Sequence, residues 1–294
     1  MKPTAHPDIE AFAEDLRRQE ASVYTVRSYR SDLAGFAAWF EVSIGEAFAV
    51  ASVTPTDVRG YKSHQQAVMQ RKPRTVNRRL ACLKRFFQWA KATGRISGNP
   101  TEGVALVPHV PSPPRSLTRQ QLNQLTRAVE RGGSKRDIAI LATFRFTGIR
   151  VGELCALKRA DLEVSERKGM LTVRSGKGGK FRQVPLNAEV RRALDAYLEV
   201  RRASDDEHVF VGQRGSLKEQ AAQLIVKKYA RRAGIENVTA HVLRHSFGKQ
   251  AIEAGIGLET VAALLGHEKL DTTRIYTQPH LSDLEAAVEK LGIG

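Results

Sequence analysis

The chain has 294 residues, 41% hydrophobic and 27% charged, which suits two ordinary cores and does not suit a disordered polymer. Forty-seven Lys and Arg against 31 Asp and Glu leave a net charge of +16, a surplus that points to a polyanion, nucleic acid foremost. Two cysteines, Cys82 and Cys155, exclude a disulfide framework and a cysteine-rich zinc module, and no apolar run approaches the roughly 20 residues that span a bilayer.

The first stretch, MKPTAHPDIEAFAEDL, is acidic in its early turns and lacks the apolar core of a signal peptide, so a soluble cytosolic protein is predicted. Ile9, Phe12 and Leu16 predict a first helix. Val26, Tyr29, Leu33, Phe36 and Phe40 recur at spacings of three and four and line one face of a second. Thr54-Pro55-Thr56-Asp57 reads as a capped helix start leading into Val58, Tyr61 and Val68. Val76, Leu80, Leu83 and Phe87 form another stripe, ended by Gly94. The prediction is a small bundle of about four helices.

Charge in this bundle is uneven. Between Val58 and Thr101 lie eleven Lys or Arg and no Asp or Glu. Solvated faces normally mix signs, so this stretch reads as a phosphate-binding surface, with Arg71, Lys72, Arg74, Arg78, Arg79 and Lys84 as candidate nucleic-acid contacts.

The segment from Pro108 to Arg115 holds four prolines, which neither continue a helix nor pair within a central strand. It predicts a linker over 108–116 between a basic, nucleic-acid-binding domain at 1–107 and a second domain at 117–294. In the second domain, Thr118 opens a helix through Leu122, Leu125 and Val129, and Ser134 caps one through Ile138, Leu141 and Phe144. Residues 170–174 and 181–186 read as a hairpin around the glycine-rich SGKGGK, with residues 208–212 as a possible third strand. Helices are predicted over 187–202, 216–233, 241–254, 258–265 and 281–291. The fold class is mainly α in two domains, the second carrying a small β-hairpin. Lys227, Lys228, Lys180 and Arg182 join the candidate nucleic-acid contacts.

Phosphodiester chemistry without a metal needs fixed cations for the non-bridging oxygens, a nucleophile, and an acid for the leaving alkoxide. The sequence has no HExxH, no CxxC and no acidic cluster of two-metal type. It offers instead basic residues in tight contexts. TGIRVGEL places Arg150 at a helix start with Glu153 one turn on. Lys177 sits between glycines at the hairpin tip. In HVLRHSF, His241 and Arg244 are three apart and share a helix face. LLGH ends on His267, and TTRIYT carries Tyr276. Each fragment alone also fits a structural role.

Taken together and in this order, these five motifs resemble the tyrosine recombinase (phage integrase) family, in particular its Xer and transposon-type members. The resemblance covers the chain from about residue 115 onward, and the N-terminal bundle is similar to the family's SAM-like core-binding domain. It implies that Tyr276 attacks a DNA phosphate to form a 3′-phosphotyrosyl link, with His241 as base or proton shuttle. Arg150 and Arg244 would clamp the non-bridging oxygens, Lys177 would protonate the departing 5′-oxygen, His267 would donate to the phosphate, and Glu153 would support Arg150.

The resemblance further implies no metal or nucleotide cofactor, double-stranded DNA as partner, and a tetramer on DNA, of one chain or of two paired recombinases, working through a Holliday junction and assembled from monomers. Leu281, Leu284, Val288 and Leu291 form an apolar stripe suited equally to a neighbouring subunit and to the chain's own domain. Two other readings stay open at this point: a non-cleaving DNA-binding accessory protein of the same fold, and a type IB topoisomerase-like enzyme.

Overall fold

A computed structural model describes residues 6–109, 114–132, 134–174, 181–201 and 206–267. The chain divides into two compact units, Met1–Pro111 and Ser112–Gly294.

The first unit is a helical bundle: α1 (Pro7–Arg18), α2 (Val23–Ile44), α3 (Pro55–Ala67) and α4 (Pro73–Ala92), with a short 3-10 turn at Val50–Ser52. Local chemistry sets the helix ends. Proline opens α1, α3 and α4, where its missing N–H costs nothing. Ser22 caps α2, and Gly45 closes it in the left-handed conformation at φ 80°. The Thr54 and Asp57 side chains form a reciprocal capping box on α3.

The core of this bundle is aromatic. Phe36 is fully buried and meets Tyr61, Phe48 and Phe87 edge-on at centroid distances of 5.1, 5.9 and 6.2 Å. Phe12 packs edge-on to Phe86 at 5.4 Å. Such pairs contribute about 0.5–1.5 kcal/mol each beyond the burial of area. Val68 departs from its predicted core position: it follows the last turn of α3 and is 68% exposed.

The second unit is mainly helical with a small sheet. Its elements are α5 (Arg119–Glu130), α6 (Lys135–Thr147), α7 (Val151–Ala156), β1 (Leu162–Val164), β2 (Gly169–Arg174), β3 (Phe181–Pro185), α8 (Ala188–Val200), β4 (Val211–Gly212), β5 (Gly215–Ser216), α9 (Glu219–Arg232), α10 (Ala240–Glu253) and α11 (Leu258–Leu265). Helix α6 is buried at Ala139, Ile140, Leu141, Thr143, Phe144 and Thr147, nearly all round, because α5, α8, α9 and α10 pack about it. Its buried Asp137 accepts from the Tyr229 hydroxyl of α9 at 2.9 Å.

The three-stranded antiparallel sheet runs β1-β2-β3. Leu171 pairs with Val184 and Val173 with Arg182, so Leu171, Val173 and Val184 point into the core. The expected third strand is placed differently. Leu162–Val164 supplies it, whereas among the described residues Val211–Gly212 pairs with Gly215–Ser216 alone, and His208 makes an isolated bridge to Lys158. The same ladder delays α9 to Glu219 from its expected start at 216. The 281–291 helix lies outside the described residues, as do Lys177, Lys180 and Tyr276.

Candidate active site at the end of helix α11

The site is built around one helix terminus. Gly266 closes α11 in the left-handed conformation (φ 64°), and the Gly266 and His267 N–H groups donate back to Ala263 O and Ala262 O. The last carbonyls of a helix have no partner within it and form its negative pole. Here three consecutive carbonyls each accept from a different arginine. Leu264 O accepts from Arg182 Nε at 2.9 Å, Leu265 O from Arg244 Nη2 at 2.6 Å, and Gly266 O from Arg150 Nη2 at 3.3 Å. Residues of β3, α10 and the start of α7 therefore converge on the chain that carries His267.

Arg150 is half-exposed and precedes α7. Glu153 Oε2 accepts from its backbone N–H at 2.7 Å and Glu153 Oε1 from Nη1 at 2.7 Å. Glu153 also receives Arg182 bidentately, at 3.0 Å from Nη1 and 2.8 Å from Nη2. Burial works to raise the Glu153 pKa, but the hydrogen bonds from Arg182 and Arg150 outweigh it and bring the carboxyl down to about 2.

Arg244 is 3% exposed and donates from Nη1 to Gly148 O at 2.7 Å as well as to Leu265 O. Gly148 is required there twice over. It adopts φ 61° at the end of α6, and a Cβ would lie 2.5 Å from Phe247 Cδ1 and 2.8 Å from Leu265 Cδ2.

The two histidines on α10 differ. His241 is exposed, His245 is buried, and their Nε2 atoms lie 2.7 Å apart. Burial, with His241, Arg244 and His267 nearby, pushes the His245 pKa down to about 4. Burial and the adjacent Arg244, Arg150 and Arg182 do the same to His267, also to about 4. Both imidazoles are neutral at physiological pH, so each retains one N–H donor and one acceptor.

Four of the six expected catalytic residues, Arg150, His241, Arg244 and His267, thus belong to one locale. Sequence reasoning missed His245, although it stands one turn after His241. Arg182, a candidate DNA contact in the sequence, forks onto Glu153 and has 15% side-chain exposure.

In the first unit, Arg71, Lys72, Arg74 and Lys84 are exposed, as is Lys227 in the second. Arg78, Arg79 and Lys228 also have internal partners. Arg78 pairs bidentately with Asp32, whose side chain is 7% exposed, and Arg79 bonds Gln65 beside the same carboxylate. Lys228 lies 3.5 Å from Asp137. Cys82 and Cys155 are free thiols, pushed up by burial to about 12 and about 11. Among the described residues, no helix is long and apolar enough to cross a membrane, and no group of three or more His, Cys, Asp or Glu is placed to hold a metal ion.

Residues 115–282 match the phage integrase family, and residues 9–94 match the phage integrase N-terminal SAM-like domain. The chain belongs to the phage integrase family of tyrosine recombinases. Relatives include the tyrosine recombinase XerC of Thermodesulfovibrio yellowstonii, 33% identical over 292 residues covering 95% of this chain and 94% of the relative. The tyrosine recombinase XerA of Pyrococcus furiosus is 37% identical over 226 residues, 75% of each chain. The fold is that of the XerH site-specific recombinase solved in a pre-cleavage complex with its difH substrate, at a TM-score of 0.73, 22% identity, and coverage of 95% of this chain and 83% of XerH. This integrase-family chain is a site-specific recombinase that cleaves and rejoins double-stranded DNA.

Proposed function

We propose that Tyr276 is the nucleophile of this recombinase and that the α11 terminus is where it meets the scissile phosphate. In the cleavage step the phenolic oxygen forms a bond to phosphorus, the bond from phosphorus to the 5′-oxygen breaks, and the 3′-phosphate remains on Tyr276. The phenol proton passes to His241, and the departing 5′-oxygen takes a proton from Lys177. A free phenol has a pKa near 10, so its proton must leave as it attacks. Attack by a new 5′-hydroxyl reverses every transfer, and because one phosphodiester is exchanged for another, no external energy source enters.

Arg150 and Arg244 present planar guanidiniums suited to the non-bridging oxygens, and neutral His267 supplies a further hydrogen bond. The observation that carries this reading is the gathering of these three side chains and His241 about one helix end. Fixed donors in a partly buried site stabilise developing charge far better than the same groups in water.

Arg71, Lys72, Arg74 and Lys84 would position the duplex through its phosphates and carry little sequence information. The assembly proposed on DNA is a tetramer, of this chain or paired with a second recombinase, acting in the cytoplasm and passing through a Holliday junction.

The test uses a pool of labelled duplexes of random sequence, each bearing one strand nick, incubated with the purified full chain. Nicking lets the short leaving strand diffuse away and traps the covalent adduct. Adducts that survive detergent are recovered and sequenced, and the enriched duplex becomes the defined substrate. Wild type forms the adduct and Tyr276→Phe binds the duplex without forming it. Absence of adduct with wild type, or its presence with Tyr276→Phe, removes the assignment.

A further inference from the structure

We infer that Arg182 is a positioning residue that aims Arg150, and that it acts in strand cleavage rather than in holding DNA. This rests on the reading of Arg150 as a phosphate clamp. Among the described residues, the Arg150 guanidinium is anchored by Glu153 Oε1 and by the backbone carbonyl of Gly266. Arg182 holds both of them. Its Nη1 and Nη2 grip the two oxygens of Glu153, and its Nε donates to Leu264 O, two residues before Gly266 in the same helix end.

Packing reinforces the hydrogen bonds. A Cβ on Gly266 would meet Arg182 Nη1 at 2.7 Å and its Cδ and Cζ at 3.0 Å, so the guanidinium lies directly against the Gly266 backbone. Arg182 lies in β3, paired with Val173 of β2, and is mostly buried. One side chain therefore ties the sheet, α7 and the end of α11 together, and each tie bears on where Arg150 points.

Lysine cannot replace this arrangement. The three bonds need a planar fork with an additional Nε–H, whereas an ammonium is a point donor on a flexible stem. A phosphate contact, by contrast, tolerates lysine well. That difference separates the two roles for Arg182.

The experiment uses the nicked duplex recovered in the selection above and the full-length protein, with thermal melting recorded for each variant. Arg182→Ala and Arg182→Lys are compared with wild type for DNA affinity across salt concentrations and for the rate of adduct formation at saturating protein. Misplacing a reacting group by about 1 Å costs about 100-fold in rate, and a loss approaching that size is expected for both variants. Affinity and its salt slope remain those of wild type.

Arg182→Lys keeps the charge and the stem, and so decides the matter should Arg182→Ala fold poorly. Glu153→Gln slows the same step, and the double variant Glu153→Gln with Arg182→Lys is no slower than the worse single one, as expected for groups acting as a unit. A wild-type rate in Arg182→Lys, multiplicative losses in the double variant, or a salt slope smaller by about 0.9, the value of one phosphate, would each overturn the inference while leaving the recombinase reading intact. Failure of wild type to form any adduct removes both.

Discussion

The Nε2 atoms of His241 and His245 are 2.7 Å apart, with the rings edge to face at a centroid separation of 4.2 Å. A hydrogen bond between two imidazole nitrogens needs one proton between them, so at least one ring must be neutral. Burial ensures that His245 is, by lowering its pKa to about 4. The pair therefore fixes the direction in which the His241 ring faces and commits its Nε2.

A pH dependence of stability follows from His245 and His267. Both have folded pKa values of about 4, below the ordinary 6.5. Between those values the unfolded chain takes up protons that the folded chain refuses. Stability is therefore complete above about pH 6.5 and declines as pH falls toward 4. Thermal melting from pH 7 to pH 4 should show this fall, and His245→Gln should flatten it. An identical pH profile in that variant would mean that His245 titrates normally in the folded state.

Gly148→Ala places a methyl group 2.5 Å from the Phe247 ring at a backbone φ of 61°. The clash and the left-handed backbone act together, and a loss of about 1–3 kcal/mol is expected in urea denaturation. Cleavage should fall as well, since Gly148 O holds Arg244. A variant as stable as wild type would show that the α6–α10 contact relaxes without cost.

Tyr229→Phe removes the hydroxyl that donates to buried Asp137 at 2.9 Å. A hydrogen bond to a charged acceptor contributes about 1.5–3 kcal/mol, and that is the expected drop in unfolding free energy. DNA cleavage at a temperature well below melting should be unaffected, because the pair lies among α6 and α9 and not at the α11 end. Loss of cleavage in a folded variant would tie this pair to the site.

The basic residues of the first unit should divide into two groups. Replacing Arg71, Lys72 and Arg74 with alanine removes exposed charges, and each phosphate that is no longer neutralised lowers the slope of log affinity against log salt by about 0.9. Melting should hardly change. Asp32→Ala instead leaves Arg78 and Arg79 without their shared carboxylate and should lower the stability of the chain while sparing the salt slope. An unchanged slope in the triple variant would place those three residues off the DNA.

Much of the architecture is legible in the sequence because it rests on local chemistry. Helix stripes such as Leu33, Phe36 and Phe40, the Thr54–Asp57 capping box, and the glycine stops at Gly148 and Gly266 are properties of adjacent residues. Val68 escapes that logic because α3 ends at Ala67, so the apolar spacing runs past the helix that would have buried it. The third strand escapes it too, because a two- or three-residue strand is specified by the partner it meets, not by its own pattern.

The amino-acid order alone determined the family and the catalytic candidates, since each motif is a short run whose residue types must be adjacent. Only the tertiary structure decided what those side chains touch. Arg182 and Glu153 are 29 positions apart and Arg150 and Gly266 are 116 apart. Hydrogen bonds at such separations depend on where chain packing delivers a helix end, and on how its unpaired carbonyls are then satisfied. For the same reason Arg78, indistinguishable in sequence from its basic neighbours, proved to have a buried carboxylate waiting for it on another helix.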